Sequence, residues 1–240
     1  MISEVPKRIQ LIDALRGLCV VLMVLHHLMF DLVEFLGAPE WLFTNPILDV
    51  AHYFFAGMFI FLSGVSSRFS RSNVKRGIKV VLAALVITAV TWFLQMPVIF
   101  GILHFLGFAM IFYGVTAKLW QKIPDYIAPY LFIALIVLSA IWIAKTGYVK
   151  VNWLWMFGFR TVSFYSSDYF PIIPWIFVFL LGTWAGRFIR DGYMPKWVYT
   201  FSPPVLPAIG RKAFIIYLAH QPILYGIVML IRLISSNGKM

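Results

Sequence analysis

Apolar residues gather in seven long runs, at roughly 12–36, 50–67, 78–95, 99–117, 126–144, 171–189 and 211–233. A helix needs about 20 apolar residues to cross about 30 Å of hydrocarbon. Each run is close enough to that length to predict a membrane-spanning helix. Spanning β-strands instead alternate over about ten residues, and the unbroken apolar stretch from Ile133 to Ile143 does not alternate. The expected fold class is an all-α polytopic membrane protein of about seven transmembrane helices, with residues 1–240 as a single integral-membrane domain. The first run resembles a signal peptide in hydrophobicity. Asp31 and Glu34 near its end, and the lack of a small-residue cleavage site, predict a helix that is kept.

The polar positions inside these runs are not scattered. At about 100° per residue, Asp13, Arg16, His27, Asp31 and Glu34 share an arc of about 60° on the first span. His26 points about 100° away from His27. Arg16 sits near the start of the span, and His27 lies about 16 Å further along it. On the second span Asp49, His52, Ser63 and Ser67 share one face in the same way, with Asp49 and His52 one turn apart. Such a pair can orient an imidazole and raise its basicity; an interfacial His52 held by a backbone carbonyl is the plainer reading. His104 and His220 lie in apolar surroundings, where a histidine is either a packing residue or a site residue. Ionisable groups at bilayer depth are costly, so each is a functional candidate.

Composition closes off other classes. Hydrophobic residues make up 62% and charged residues 12%, against about half and about a quarter in soluble domains. That excludes a soluble enzyme. A single cysteine, Cys19, excludes an internal disulfide and a cysteine-based zinc site. No HExxH is present, and adjacent His26 and His27 cannot turn both rings to one ion, so no metal is expected. A nucleotide P-loop and a GxSxG elbow are also missing. The net charge of +11 is interrupted by apolar runs, which argues against nucleic acid.

Charge does predict orientation. Basic residues concentrate before the first span (Lys7, Arg8, Arg16) and in the second connection (Arg68, Arg71, Lys75, Arg76, Lys79). They recur in the fourth (Lys118, Lys122) and sixth (Arg187, Arg190, Lys196, Arg211, Lys212). Lys145, Lys150, Arg160, Arg232 and Lys239 fall on the other side. The positive-inside rule then places the N-terminus in the cytoplasm and the C-terminus outside. The Arg68–Lys79 group reads as topology plus lipid attraction, or as a phosphate clamp. All five histidines lie mid-span or toward the outer side, which points to a polar cavity open to the outside. The aromatic connection at 145–170 is an interfacial belt or a lid over a site. Gly182 and Gly186 form a small-xxx-small pair, a sign of close helix packing.

Five segments carry a resemblance. Arg8, Asp13, Arg16 and Gly17 stand in the spacing R-x-x-x-x-D-x-x-R-G, similar to the opening of polytopic membrane acyltransferases. His52-Tyr53-Phe54-Phe55 with Phe61-Leu62-Ser63-Gly64 resembles their second-helix signature. Phe100 to His104, Asp168 to Trp175, and Ile209 to Ile223 with Tyr217-Leu218-Ala219-His220-Gln221-Pro222 are similar to one branch, the heparan-α-glucosaminide N-acetyltransferase catalytic-domain family, which includes small bacterial proteins.

The resemblance implies an acyltransferase in a bacterial cytoplasmic membrane. It would move an acetyl group from cytoplasmic acetyl-CoA, or another acyl-CoA, to a sugar amine or hydroxyl outside. In acyltransferases acting on cell-surface glycans, an arginine and a histidine separated by ten residues form a functional motif, matched by Arg16 and His27. Arg68 and Arg71 match a second motif, an arginine pair two residues apart. The lysosomal enzyme differs: it has asparagine where His27 falls, and its functional histidine lies in the following outer connection. Here that connection, 37–48, has no histidine.

The expected roles follow. His27 is the general base, Asp31 its orienter, and Arg16, His52 and Asp49 complete the catalytic group. Arg68, Arg71, Arg76 and Ser63 bind the donor. His104, Asp168 and His220 line the acceptor side. The partners are then acyl-CoA, a glycan acceptor and the bilayer, and a homodimer is compatible. A proton-coupled transporter and a non-catalytic scaffold are the alternatives, because intramembrane His, Asp and Arg also mark transport paths and helix contacts.

Overall fold

The structure is a computed structural model that describes Pro6 and residues 8–237. Lys7 and Lys239, both used for orientation above, lie outside the described residues. Among the described residues all regular structure is helical. The helices are α1 (Gln10–Leu36), α2 (Pro46–Ser67), α3 (Asn73–Phe93), α4 (Ile102–Trp120), α5 (Ala128–Thr146), α6 (Ile172–Arg190), α7 (Lys196–Thr200), α8 (Leu206–Arg211) and α9 (Ala213–Asn237). Short 3₁₀ turns occur at Glu40–Leu42 and Asn152–Phe157. Seven helices, α1 to α6 and α9, are long and apolar enough to cross a membrane. The protein is thus a multi-pass, all-helical membrane protein, as the apolar runs predict.

Local chemistry sets the helix ends. α1 closes at Gly37, whose φ of 69° is the left-handed turn glycine favours, with Ala38 N–H on the Leu32 carbonyl at 3.1 Å. α3 begins five residues earlier than its apolar run, because the Ser72 hydroxyl accepts from Lys75 N–H and caps it. Lys75, Arg76 and Lys79 therefore ride on the first turns of α3, not in a loop. α4 begins later than its run, at Ile102. Phe100 has φ of 59°, and the Asp168 carboxylate takes the Ile102 N–H at 3.0 Å. A side chain 66 residues away in sequence supplies that cap. The short helices α7 and α8 interrupt what the hydropathy pattern leaves as one connection.

Packing divides the chain into two compact units. The first holds residues up to Phe59 and those from Met194 onward; the second is Ile60–Tyr193. In the first unit α1 packs on α8 and α9. Ile12, Ala14, Cys19 and Val20 of α1 are buried. α1 and α8 touch backbone to backbone: a Cβ at Gly210 would overlap the Asp13 carbonyl oxygen and lie 2.7 Å from its carbon, and one at Gly17 would overlap the Leu206 carbonyl. Lipid tails give helices little hydrophobic reason to associate, so such close van der Waals approach carries the association.

In the second unit α3 packs on α4 and α5 on α6. α2 and α6 run parallel through glycine contacts, Gly182 against the Phe61 carbonyl and Gly186 2.7 Å from the Val65 oxygen if given a Cβ. The small-xxx-small pair packs as the sequence predicts. Phe179 and Leu180 are fully buried, whereas Phe93 is 84% and Leu138 64% exposed. Apolar faces of that size suit hydrocarbon, not water.

Candidate functional site

The first unit draws four histidines together. His27 and Asp31 are one turn apart on α1; His220 and Gln221 are neighbours on α9. The His27 and His220 rings lie 5.0 Å apart between centroids. One turn along, Gln221 Nε2 donates to Asp31 Oδ1 at 2.8 Å. His220 Nδ1 meets the Tyr217 carbonyl at 2.7 Å. A carbonyl only accepts, so Nδ1 carries the proton and Nε2 presents a lone pair. That Nε2, Asp31 Oδ2 and Gln221 Oε1 are all buried without a hydrogen-bond partner. Each unmade buried hydrogen bond costs about 1–3 kcal/mol. Three acceptors lacking a donor, beside two imidazoles, can receive a group rich in N–H or O–H.

A second pair adjoins it. The His26 and His52 rings stack at 4.3 Å with a 34° tilt, and Phe43 lies 4.9 Å from His26. The centroid of His26 is 6.1 Å from that of His27. The angle that removes His26 from the polar stripe of α1 is what turns it toward α2. Asp49 is exposed one turn before His52, and Glu34, also in the stripe, is exposed. His26 and Gln221 are absent from the sequence-derived residues. His26 is signalled only by adjacency to His27, and Gln221 by its place in the Tyr217-Leu218-Ala219-His220-Gln221-Pro222 segment.

Arg16 is placed elsewhere on α1. Asp13 is buried and clamped by Arg8 at 2.5 Å and by Arg16 at 3.0 Å. This clamp sits where Gly210 meets the Asp13 backbone. The D-x-x-R-G spacing is thus an ion pair beside a helix crossing.

The remaining sequence-derived residues belong to the second unit. Ser63 is buried on α2 beside Gly64, whose own close contacts are with α6. Arg71 is exposed, Arg76 reaches the Ser66 carbonyl at 3.4 Å, and Arg68 reaches the Tyr113 hydroxyl at 2.8 Å. Thr88 donates its one hydroxyl proton to the Val98 carbonyl at 2.7 Å. The His104 Nε2 contact to the same hydroxyl, 3.0 Å, must therefore be a donation from the ring. His104 and Asp168 thus brace the α3–α4 turn and the start of α4. Among the described residues no group of three His, Cys, Asp or Glu could hold a metal.

The aromatic connection interlocks with this region. Phe100 touches Trp155, Trp155 stacks on Phe164, and Phe164 touches Tyr169. The Tyr169 hydroxyl donates to the Trp155 carbonyl. Burial pushes Tyr169 up to about 12, against a smaller pull from Arg160, whose guanidinium lies 5.4 Å from the ring. An unfolded tyrosine ionises near pH 10. The folded chain holds the proton longer, so this contribution to stability is complete below about pH 10 and is lost as pH climbs to about 12. Between about pH 8 and about pH 12, wild-type stability is expected to fall more steeply than that of Tyr169→Phe, measured by thermal unfolding. Equal slopes would contradict the assignment.

Residues 8–222 match the family model described as heparan-alpha-glucosaminide N-acetyltransferase, catalytic. The chain belongs to that family. The match runs through residues of both units. No curated protein and no solved structure is significantly similar to the chain. Family membership and the seven spanning helices make this a membrane protein of the acetyltransferase class, a class whose acyl donors are acyl-CoAs.

Proposed function

We propose that the chain, acting as one domain, transfers an acyl group, acetyl foremost, from cytoplasmic acyl-CoA to an amine or hydroxyl of a sugar on the far side of a bacterial cytoplasmic membrane. The observation that carries this reading is the His27, His220, Asp31 and Gln221 cluster within a member of this family. His27 takes the proton from the acceptor as its N or O attacks the thioester carbonyl. The C–S bond breaks, and the imidazolium returns the proton to the departing thiolate. The buried acceptors of Asp31 and Gln221 orient the donor-rich acceptor substrate, and His26 and His52 flank it.

Arg68, Arg71 and Arg76 take the coenzyme phosphates, with the N-terminus cytoplasmic and the C-terminus outside. Arg16 acts from its clamp with Asp13, and His104 and Asp168 shape the acceptor side through the elements they brace. A second reading makes His220 the base, favoured by its Nδ1 bond to Tyr217, which leaves Nε2 free.

The test is thiol release from acetyl-CoA by purified protein offered amino sugars and neutral sugars. Acceptor-dependent release, with acetylated sugar seen by mass spectrometry, is the expected result. Acetyl-CoA that is neither bound nor consumed by folded protein would refute it.

A further inference from the structure

The second unit contains a cleft beside Arg68, one of the arginines assigned above to the coenzyme phosphates, and its other walls have no role in that reading. Its walls come from the end of α2, from α4, from the α4–α5 connection, and from α5 and α6, with Arg68, Tyr113, Trp120, Asp125, Trp184 and Arg187 among the lining residues. The space between its walls, about 350 Å³, includes open solvent at the mouth, and the closed inner part is only about 30 Å³. A cleft of that shape suits a small anionic head reaching inward, with the group it is attached to lying toward the mouth.

The polar atoms of this cleft are out of balance. Arg68 donates from Nη1 to the Tyr113 oxygen at 2.8 Å. Its Nε is buried with no hydrogen-bond partner, and among the described residues no carboxylate pairs with it. Tyr113 is buried, and its oxygen is already accepting from Arg68. Its own proton meets no acceptor among the described residues. Across the cleft, Arg187 pairs with Asp125 at 2.7 Å, and Trp184 Nε1 donates to the Asp125 backbone carbonyl at 3.1 Å. Two guanidiniums thus face one carboxylate. A buried guanidinium N–H without a partner or counter-ion is costly, and an anion is the group that satisfies it. The Arg187–Asp125 pair is itself about 40% exposed on both sides, so little is lost when it exchanges.

We propose that this cleft binds a phosphate-ester anion. Arg68 and Tyr113 are its inner ligands, and Arg187 turns from Asp125 to become the third. Guanidinium forks match phosphate oxygens in geometry as well as charge, and the phenol adds a neutral donor. Trp120 and Trp184 give the attached organic part an apolar wall. Two sources carry this chemistry: the nucleotide end of the acyl donor and an anionic lipid headgroup. Assigning the anion to the donor rests on the acyltransferase reading above; the site itself does not.

The experiment uses the full chain in phosphatidylcholine nanodiscs. One arm titrates coenzyme A and 3′-dephospho-coenzyme A by calorimetry. The other compares thermal stability with and without phosphatidylglycerol. Both arms are run on wild type, Tyr113→Phe, Arg68→Lys and Asp125→Asn. Tyr113→Phe keeps the ring and Arg68→Lys keeps the charge, so folding is preserved while the proposed contacts are lost. If the donor is the source, both variants weaken coenzyme A binding about tenfold or more, and Asp125→Asn tightens it several-fold by freeing Arg187. If a lipid is the source, coenzyme A is indifferent and the phosphatidylglycerol stabilisation disappears in the same two variants. That outcome supports the site while withdrawing support from the acyltransferase reading. Coenzyme A or phosphatidylglycerol responses that are unchanged in all three folded variants overturn the proposal. So does a folded wild type that responds to neither.

Discussion

Replacing His27 with alanine is expected to lower acyl transfer about a hundredfold or more, the range for loss of a general base, while acyl-CoA still binds. The argument is geometric. The His27 ring lies against His220, one helical turn from a buried carboxylate whose second oxygen has no partner. Among the described residues the His27 ring makes no side-chain hydrogen bond that truncation would break, so folding should survive, and a melting curve checks that. Single-turnover thiol release separates chemistry from binding. A His220→Ala variant run beside it decides between the two readings of the base. Loss in both variants fits a pair acting together. Wild-type rates in folded His27→Ala would end the assignment of the base to His27 and leave His220 to carry it.

Gly210→Val is expected to prevent the protein from folding, or to destabilise it by about 3 kcal/mol or more, the upper end for overpacking. A Cβ there overlaps the Asp13 carbonyl oxygen and comes within 2.9 Å of the Gly17 nitrogen. These are backbone atoms and cannot rotate aside. α1 and α8 would have to separate. That forfeits the close contacts at Gly17 and disturbs the buried Asp13 with its two arginines. Gly17→Val should act the same way, against the Leu206 carbonyl. Gly226→Ala is the control: nothing lies within 4 Å of its Cβ, and alanine gains up to about 1 kcal/mol over glycine within a helix. Tryptophan-fluorescence melting with size-exclusion profiles reads all three. A Gly210→Val protein that melts with wild type would show that the crossing is not tight.

The helices themselves were readable from hydropathy because spanning is a local property. Each run of about 20 apolar residues must hydrogen-bond its own backbone in lipid, whatever its neighbours are. The same local rule placed His27 and Asp31 on one face of α1, since side-chain direction along a helix follows from the rise and turn of the backbone. It also flagged Gly182 and Gly186 as packing residues. The ends were less legible. Lys75 and Arg76 look like loop residues until Ser72 caps the helix that carries them. Asp168 looks like a site residue until it caps α4 from a distant loop.

Pairing between helices lay beyond the sequence pattern. Gln221 and Asp31 are 190 residues apart, and nothing local to either predicts the hydrogen bond between them. His26 was set aside by its angle, yet that angle delivers it to His52. Arg68 stood in a cationic run, and only the fold shows it alone against Tyr113 while Arg187 is held by Asp125. By itself the sequence determined an all-helical membrane protein, its family resemblance and the faces that carry polar groups. The tertiary structure decided which polar groups meet, which are satisfied and which are left wanting a partner. The physical reason is that helical periodicity is set within each segment. Contacts across helices depend on where backbones can approach, and those few small-residue crossings align distant side chains only once the chain has packed.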